Sequence, residues 1–298
     1  MATAMAVAHA GLTPVFADID PETWCLSPEC AASAMTERTA VIVPVHLFGV
    51  PADTEAFAAL GRRTDVPVVY DAAHGFGARH DGHPVGPEGL AQIFSTSPTK
   101  LLITGEGGVV ATDDEDLGRE IAVGREYGNP GDYDALFVGT NARLPEMSAL
   151  LGIESLKLLE EQAVRRNALA KLYHEALSDV PGLTWQRIRP GDRSSYKDIT
   201  VRLGTEFGLR RDELAQTLAS EGIDSRAYYS PAVHQLTAFA HLRERFRGRL
   251  SETESLAAEV LSLPLYGSMR EEDVLLVSAK IRAAHEKAKE IHTLFAGI

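Results

Sequence analysis

The fold is decided by residues 66–75, whose sequence is VPVVYDAAHG. The first five residues are almost all apolar, as in a strand that is buried on both faces of a parallel sheet. Small and polar residues follow at once, so the predicted strand ends at Asp71. An aspartate at such a strand end either takes part in catalysis or cofactor binding, or caps a following helix.

Apolar strands and helices alternate around this stretch. Residues 40–47 form another run that is nearly all apolar, and Asp53 begins a predicted helix between the two runs. Upstream, residues 13–19 are expected to form a strand, and Ser27 followed by proline predicts a helix start. This alternation predicts an α/β fold with a mostly parallel sheet flanked by helices, in which ligands bind at the carboxyl ends of the strands.

Lys100 lies in a polar, glycine-rich segment between two further strand-like runs. The segment, residues 95–108, reads STSPTKLLITGEGG. A lysine held between two strands can have a lowered pKa and then act as an amine nucleophile toward a carbonyl compound. The alternative is a solvated loop lysine.

The second half of the chain changes character after a long predicted helix, residues 144–178, which follows a long loop, residues 128–142. Pro181 and Gly182 end this helix. The elements predicted beyond it are strands at 199–203 and 225–229 and helices at 211–221, 252–262 and 271–290. We therefore predict a large domain, residues 1–180, that includes the bridging helix, and a smaller α+β domain, residues 181–298.

Composition excludes several classes of function. The chain has 298 residues, of which 45% are hydrophobic, and a formal net charge of −13 without a concentrated basic block, so a nucleic-acid partner is not indicated. No segment approaches the run of about eighteen apolar residues that a membrane helix needs. Cys25 and Cys30 suggest no disulfide framework, which fits a reducing compartment and a cytoplasmic location.

Two other kinds of site are not indicated. His74, His80 and His83 lie close together in sequence, but no carboxylate or cysteine spacing completes a metal-ligand set. The glycines at 105–108 do not form the G-x-G-x-x-G turn of a nicotinamide-binding fold. We therefore predict no metal site.

Asp71 and Lys100 together suit one cofactor chemistry. Pyridoxal phosphate needs a lysine amine for its aldehyde and an acidic partner for its pyridine nitrogen. The motifs around both residues, Asp-Ala-Ala-His at 71–74, Ser-x-x-Pro-Thr-Lys at 95–100 and Gly-Glu-Gly-Gly at 105–108, closely resemble those of the DegT/StrS-type sugar aminotransferases. The resemblance continues in family order through residues 44–49, 51–53, 139–143 and 261–265.

This resemblance implies a pyridoxal-phosphate-dependent transferase of fold type I and a role for each matching residue. Lys100 is similar to the Schiff-base lysine that later moves the proton between two carbons. Asp71 is similar to the partner of the pyridine nitrogen, His74 to the residue near the ring oxygen, and Ser95 to a phosphate ligand. Asn141 is similar to the asparagine that reaches the cofactor phosphate of a neighbouring subunit, which implies a homodimer with shared active sites. The alternatives are purely structural roles, in which Ser95 satisfies a turn and Asn141 caps the long helix.

The family's reaction is the transfer of an amino group from glutamate or glutamine to a keto group on a nucleotide-linked sugar. A keto-cyclitol acceptor is an alternative. A dehydratase branch of the same fold has histidine in place of the lysine, so Lys100 argues against it.

The resemblance also predicts a difference at the amino terminus. Family members carry a further N-terminal segment before the position that matches Met1, with a phosphate-cradling helix start and an aromatic residue that stacks on the cofactor ring. The fold is therefore expected to be N-terminally incomplete in this chain. An N-terminally truncated, non-catalytic relative or a partner subunit is accordingly the alternative to an active enzyme.

Overall fold

A computed structural model describes residues 1–132 and 134–296. The helices are α1 (Ala2–His9), α2 (Pro28–Ala34), α3 (Thr54–Thr64), α4 (Glu115–Gly124), α5 (Glu146–Ala176), α6 (Arg211–Ser220), α7 (Arg243–Phe246), α8 (Ser251–Glu259), α9 (Glu271–Glu286) and α10 (Ala288–Ala296). The strands are β1 (Val69–Asp71), β2 (Arg79–His80), β3 (His83–Pro84), β4 (Ala91–Ser95), β5 (Gly108–Ala111), β6 (Leu183–Trp185), β7 (Ile199–Leu203) and β8 (Val260–Leu263).

The sheet that carries the site is built around β1. It pairs in parallel with β4, with Asp71 opposite Ile93. On the other side, Val45 forms an isolated parallel bridge with Asp71, and Ile42 forms one with Val68, directly before β1. On its other side, β4 pairs in antiparallel fashion with β5. The α/β class is therefore confirmed, and β1 and β4 bring their carboxyl ends to one edge of the sheet.

Local capping explains where the flanking helices begin. The hydroxyl of Ser27 accepts a hydrogen bond from the N–H of Cys30 at 3.2 Å, with proline at the first helical position of α2. Likewise, the carboxylate of Asp53 accepts from the N–H of Ala56 at 2.9 Å at the start of α3. Both helix starts match the prediction.

The C-terminal part of the chain is an antiparallel sheet against which helices pack. Strand β7 pairs with β6 and with β8, and a hydrophobic cluster joins this sheet to α6, α9 and the end of α5. Tyr173 of α5 and Leu261 of β8 are both fully buried in that cluster. This agrees with the predicted α+β character, while the domain boundary at residue 180 stays a prediction.

Three predicted elements differ from the structure. Residues 40–47 make two parallel bridges rather than a continuous strand, since Pro44 has no N–H to donate. Among the described residues, 13–19 and 225–229 each make one isolated bridge, Ile19 to Leu26 and Arg226 to Ser262. Apolar alternation alone therefore overestimated these strands, because a strand needs a partner along its whole length.

Two helices in the C-terminal part are shorter in the structure than predicted. The helix predicted over 252–262 ends at Glu259, and Val260–Leu263 forms β8, whose four residues are all buried. The helix predicted over 271–290 is divided into α9 and α10 at Lys287. By contrast, the long helix predicted over 144–178 is present as α5, and none of the described helices is long and apolar enough to span a bilayer.

Candidate active site

Asp71 is the last residue of β1, and hydrogen bonds fix both its backbone and its carboxylate. Its N–H donates to the carbonyl of Pro44 at 2.9 Å. The carboxylate accepts from the hydroxyl of Thr3 at 2.6 Å through Oδ2, and from the N–H of Ala73 at 3.0 Å through Oδ1. A turn follows instead of a helix, so Asp71 is not a helix cap.

His74 lies in that turn with one ring atom unsatisfied. Its carbonyl accepts a hydrogen bond from the Ser195 hydroxyl at 2.6 Å, which ties the turn to a distant segment. Nδ1 is buried and has no hydrogen-bond partner among the described residues. Burial, followed by the charges of Lys100 and Lys197, holds the pKa of His74 well below its usual range. The imidazole is therefore neutral at physiological pH and keeps a polar atom available for a bound group.

Lys100 follows β4 in a tight turn, in which its N–H donates to the carbonyl of Ser97 at 3.0 Å. Its side chain lines a recess together with Ala73, His74, Phe76, Leu101 and Lys197. Burial lowers the pKa of Lys100, and the neighbouring Lys197 charge lowers it further. The solvated-lysine alternative does not describe this environment.

Ser95 ends β4 opposite Gly108 and satisfies a turn. Its Oγ accepts from the N–H of Ser97 at 3.4 Å. Behind it, the hydroxyls of Thr96 and Thr104 are hydrogen-bonded to each other at 2.6 Å. Ser95 is half-buried beside the Lys100 turn, but it is not one of the side chains that line the recess.

Asn141 does not lie in the recess. It is exposed and forms an antiparallel bridge with Glu126, and the helix cap of α5 is Pro145. Arg143, two residues later, pairs with Glu126 at 2.8 Å and lies over the ring of Tyr127. The helix-cap alternative for Asn141 is therefore wrong.

The sequence did not point to Lys197, which lines the recess. Its backbone N–H donates to the carbonyl of Phe48 at 3.0 Å, and its Nζ pairs with Asp198 at 2.8 Å. The signal available was a pair of opposite charges directly before the predicted strand at 199–203. Which part of the large sheet this pair would meet depends on tertiary packing and not on the local pattern.

These residues fit pyridoxal phosphate. They supply a lysine amine with a lowered pKa, a strand-end carboxylate, and a buried imidazole atom that has no partner in the described part of the chain. No group of three potential metal ligands occurs within residues 1–132 and 134–296.

The sequence of residues 1–282 matches the model of the DegT/DnrJ/EryC1/StrS aminotransferase family. The chain belongs to this family. It is 36% identical over 283 residues to a pleiotropic regulatory protein of Geobacillus stearothermophilus, covering 94% of this chain and 74% of the relative. It is also 35% identical over 291 residues to the dTDP-3-amino-3,4,6-trideoxy-alpha-D-glucose transaminase of Streptomyces venezuelae, covering 97% of this chain and 75% of that enzyme.

Solved structures of the family have the same fold. DesI, crystallised in the presence of its TDP-sugar product, matches with a TM-score of 0.92 and 34% identity over 99% of this chain and 75% of its own. DesV of S. venezuelae, in complex with a ketimine intermediate, matches with a TM-score of 0.89 and 36% identity over 96% of this chain and 76% of its own. The chain thus has the fold of pyridoxal-phosphate-dependent sugar aminotransferases, and it spans about three quarters of the length of these relatives.

Proposed function

We propose that this chain transfers an amino group from glutamate or glutamine to the keto group of a nucleotide-linked sugar, using pyridoxal phosphate. The observation that carries the proposal is the recess that Lys100 and His74 both line, at the sheet edge where Asp71 ends β1, with Nδ1 of His74 unpaired within residues 1–132 and 134–296. The sugar is proposed from relatives that are named as transaminases of dTDP-linked and UDP-linked sugars.

When bound, pyridoxal phosphate supplies an aldehyde that an amine can hold covalently and an electron-poor ring that stabilises negative charge at the reacting carbon. Lys100 would hold that aldehyde, because burial favours the neutral amine that attacks a carbonyl. Once free, the same amine would move a proton between the two reacting carbons as a general base and acid.

Asp71 and His74 would orient the cofactor ring. The Asp71 carboxylate, already fixed by Thr3 and Ala73, would accept a hydrogen bond from the protonated pyridine nitrogen. Nδ1 of His74 would hydrogen-bond the ring oxygen, which relieves the cost of leaving a buried polar atom unpaired. Ser95, at the end of β4, would contact the phosphate.

We also propose a homodimer with shared active sites. Asn141 lies on an exposed loop, and large apolar side chains around it are exposed as well. They are Leu136, Phe137, Val138, Met147, Leu150 and Leu151. Large exposed apolar side chains are typical of interaction sites, and a second copy would bury them while Asn141 reaches the partner's cofactor phosphate. A cytoplasmic location is proposed because Cys25 and Cys30 are both free.

A coupled assay tests the reaction. The purified chain would be incubated with pyridoxal phosphate, glutamate and a dTDP-linked or UDP-linked keto sugar, and release of 2-oxoglutarate would be measured. We expect keto-acid release that depends on the sugar and is abolished in Lys100→Arg, which keeps a long side chain but has no nucleophilic amine. Release with a keto-cyclitol in place of the sugar would favour the alternative acceptor. Absence of release with both acceptors would support the non-catalytic alternative.

A further inference from the structure

Lys197 is a second lysine in the Lys100 recess, and it reaches the site from a different part of the chain. The residue is only 8% exposed, although lysine is rarely buried. The Nζ atom pairs with Asp198 at 2.8 Å and lies 5.8 Å from the ring centre of Tyr228, within the range of a cation–π contact. An ammonium group loses its hydration when it is buried, and other interactions must offset this free-energy cost.

The backbone around Lys197 is held firmly. Its N–H donates to the carbonyl of Phe48, and its own carbonyl accepts from the guanidinium of Arg166 at 3.1 Å. Two residues earlier, the Ser195 hydroxyl donates to the carbonyl of His74. The segment is therefore bonded to the turn that lines the Lys100 recess, and these bonds fix the backbone of Lys197 beside it.

We propose that Lys197, fixed by Asp198, is a positioning residue whose positive charge keeps the amine of Lys100 neutral and nucleophilic. A nearby cation disfavours protonation of a second amine, which is one of the known ways to activate a lysine nucleophile. The inference rests on the proposed role of Lys100.

Burial and the Lys197 charge act on Lys100 in the direction that the proposal requires, and three nearby carboxylates act in the opposite direction. Burial lowers its pKa most and Lys197 lowers it next, whereas the carboxylates of Asp198, Asp71 and Glu106 raise it by smaller amounts. His74 also faces Lys100 but is neutral, since its own pKa lies well below the usual range. Lys197 lines the recess and Asp198 does not.

Competitive acetylation of the full chain, freed of cofactor, measures the Lys100 amine directly. Acetic anhydride would be applied across a pH series, and acetylation of Lys100 would be quantified by peptide mass spectrometry relative to Lys157, which is exposed on α5. Only the neutral amine reacts, so the pH midpoint of labelling reports the pKa of Lys100.

Three variants distinguish the effect of the Lys197 charge from the effect of the size of its side chain. Lys197→Gln removes the positive charge, and Lys197→Gln combined with Asp198→Asn removes the whole ion pair without leaving a buried unpaired carboxylate. Lys197→Arg keeps the charge. Circular dichroism and a urea midpoint would establish which variants fold, and either charge-removing variant that folds decides the outcome.

We expect the Lys100 midpoint to rise in both charge-removing variants and to stay at the parent value in Lys197→Arg. Below the midpoint, labelling would fall about tenfold for each unit of increase in pKa. An unchanged or lower midpoint after removal of the Lys197 charge would overturn the proposal. The measurement needs neither cofactor nor sugar, so its failure is distinct from a failure of the aminotransferase assay.

Discussion

Burial controls the protonation of the histidines near the sheet edge. His46 is fully buried and stacks on Tyr70 with ring centres 5.2 Å apart. Its Nδ1 accepts from the N–H of Ala52 at 2.9 Å, which fixes the neutral tautomer with hydrogen on the other nitrogen. Burial lowers the pKa of His46 from its ordinary value of 6.5 to about 4.

This pKa predicts a loss of stability in mild acid. Between pH 6.5 and about 4 the unfolded chain binds a proton at His46 and the folded chain does not. The free energy of unfolding should therefore fall as pH decreases through this window, by about 1.4 kcal/mol per pH unit from this residue. Urea unfolding at several pH values would measure the slope. It should become shallower in His46→Asn and remain unchanged in His241→Asn, which alters an exposed histidine; an equal slope in both variants would contradict the assignment.

Single residues differ in how far the sequence could predict them. Asp71 and Lys100 were predictable because each follows an apolar strand, and neighbouring parallel strands end at one edge of a sheet. Lys197 was not, since it joins the recess through hydrogen bonds between residues far apart in the chain, such as Ser195 to His74. Local patterns do not contain such contacts.

At the scale of elements, the hairpin from β4 to β5 depends on two glycines with different surroundings. Gly107 has φ +150°, and a Cβ there would lie 2.8 Å from Leu144 and 3.0 Å from the hydroxyls of Thr96 and Thr104. Gly105 has φ +86° and no atom within 4 Å of such a Cβ. Both need a backbone conformation that favours glycine, but only Gly107 also needs the space.

Alanine substitutions should separate these two requirements. Gly105→Ala should lower the free energy of unfolding by about 1 kcal/mol, the cost of the backbone conformation. Gly107→Ala should lower it by about 3 kcal/mol, because overpacking against Leu144 and the two threonines adds to that cost. Urea denaturation of both variants is the measurement. Equal losses would show that the packing around Gly107 relaxes without cost.

Secondary-structure elements were predicted best where residues within the segment itself, such as a helix cap, determine the structure. The start of α2 follows from the capping hydroxyl of Ser27 and the proline after it, and the predicted span of α5, 144–178, differs from the observed Glu146–Ala176 by two residues at each end. Residues 225–229 were overestimated as a strand because their pairing is limited to one bridge, between Arg226 and Ser262. Strand formation depends on a partner elsewhere in the chain, and a single segment does not reveal it.

At the scale of the whole molecule, the proposed homodimer makes a prediction about the apolar surface around Asn141. Val138 is fully exposed and the Met147 side chain is 78% exposed. Val138→Asp with Met147→Asp should convert a dimer to monomers, because burying two carboxylates at an interface is costly. Light scattering after size-exclusion chromatography would measure the mass. Leu294→Asp, which alters an exposed leucine on α10, is the control, and a parent chain that is monomeric would contradict the proposal.

The central claim is that Lys100 is the residue that holds pyridoxal phosphate, and borohydride reduction tests it most directly. The chain would be incubated with pyridoxal phosphate, reduced, digested and analysed by mass spectrometry, with Lys100→Arg in parallel. Our account predicts one pyridoxyl label, on Lys100, and none in the recess of the variant. A label on Lys197 instead, labelling spread over exposed lysines, or no label at all would contradict it.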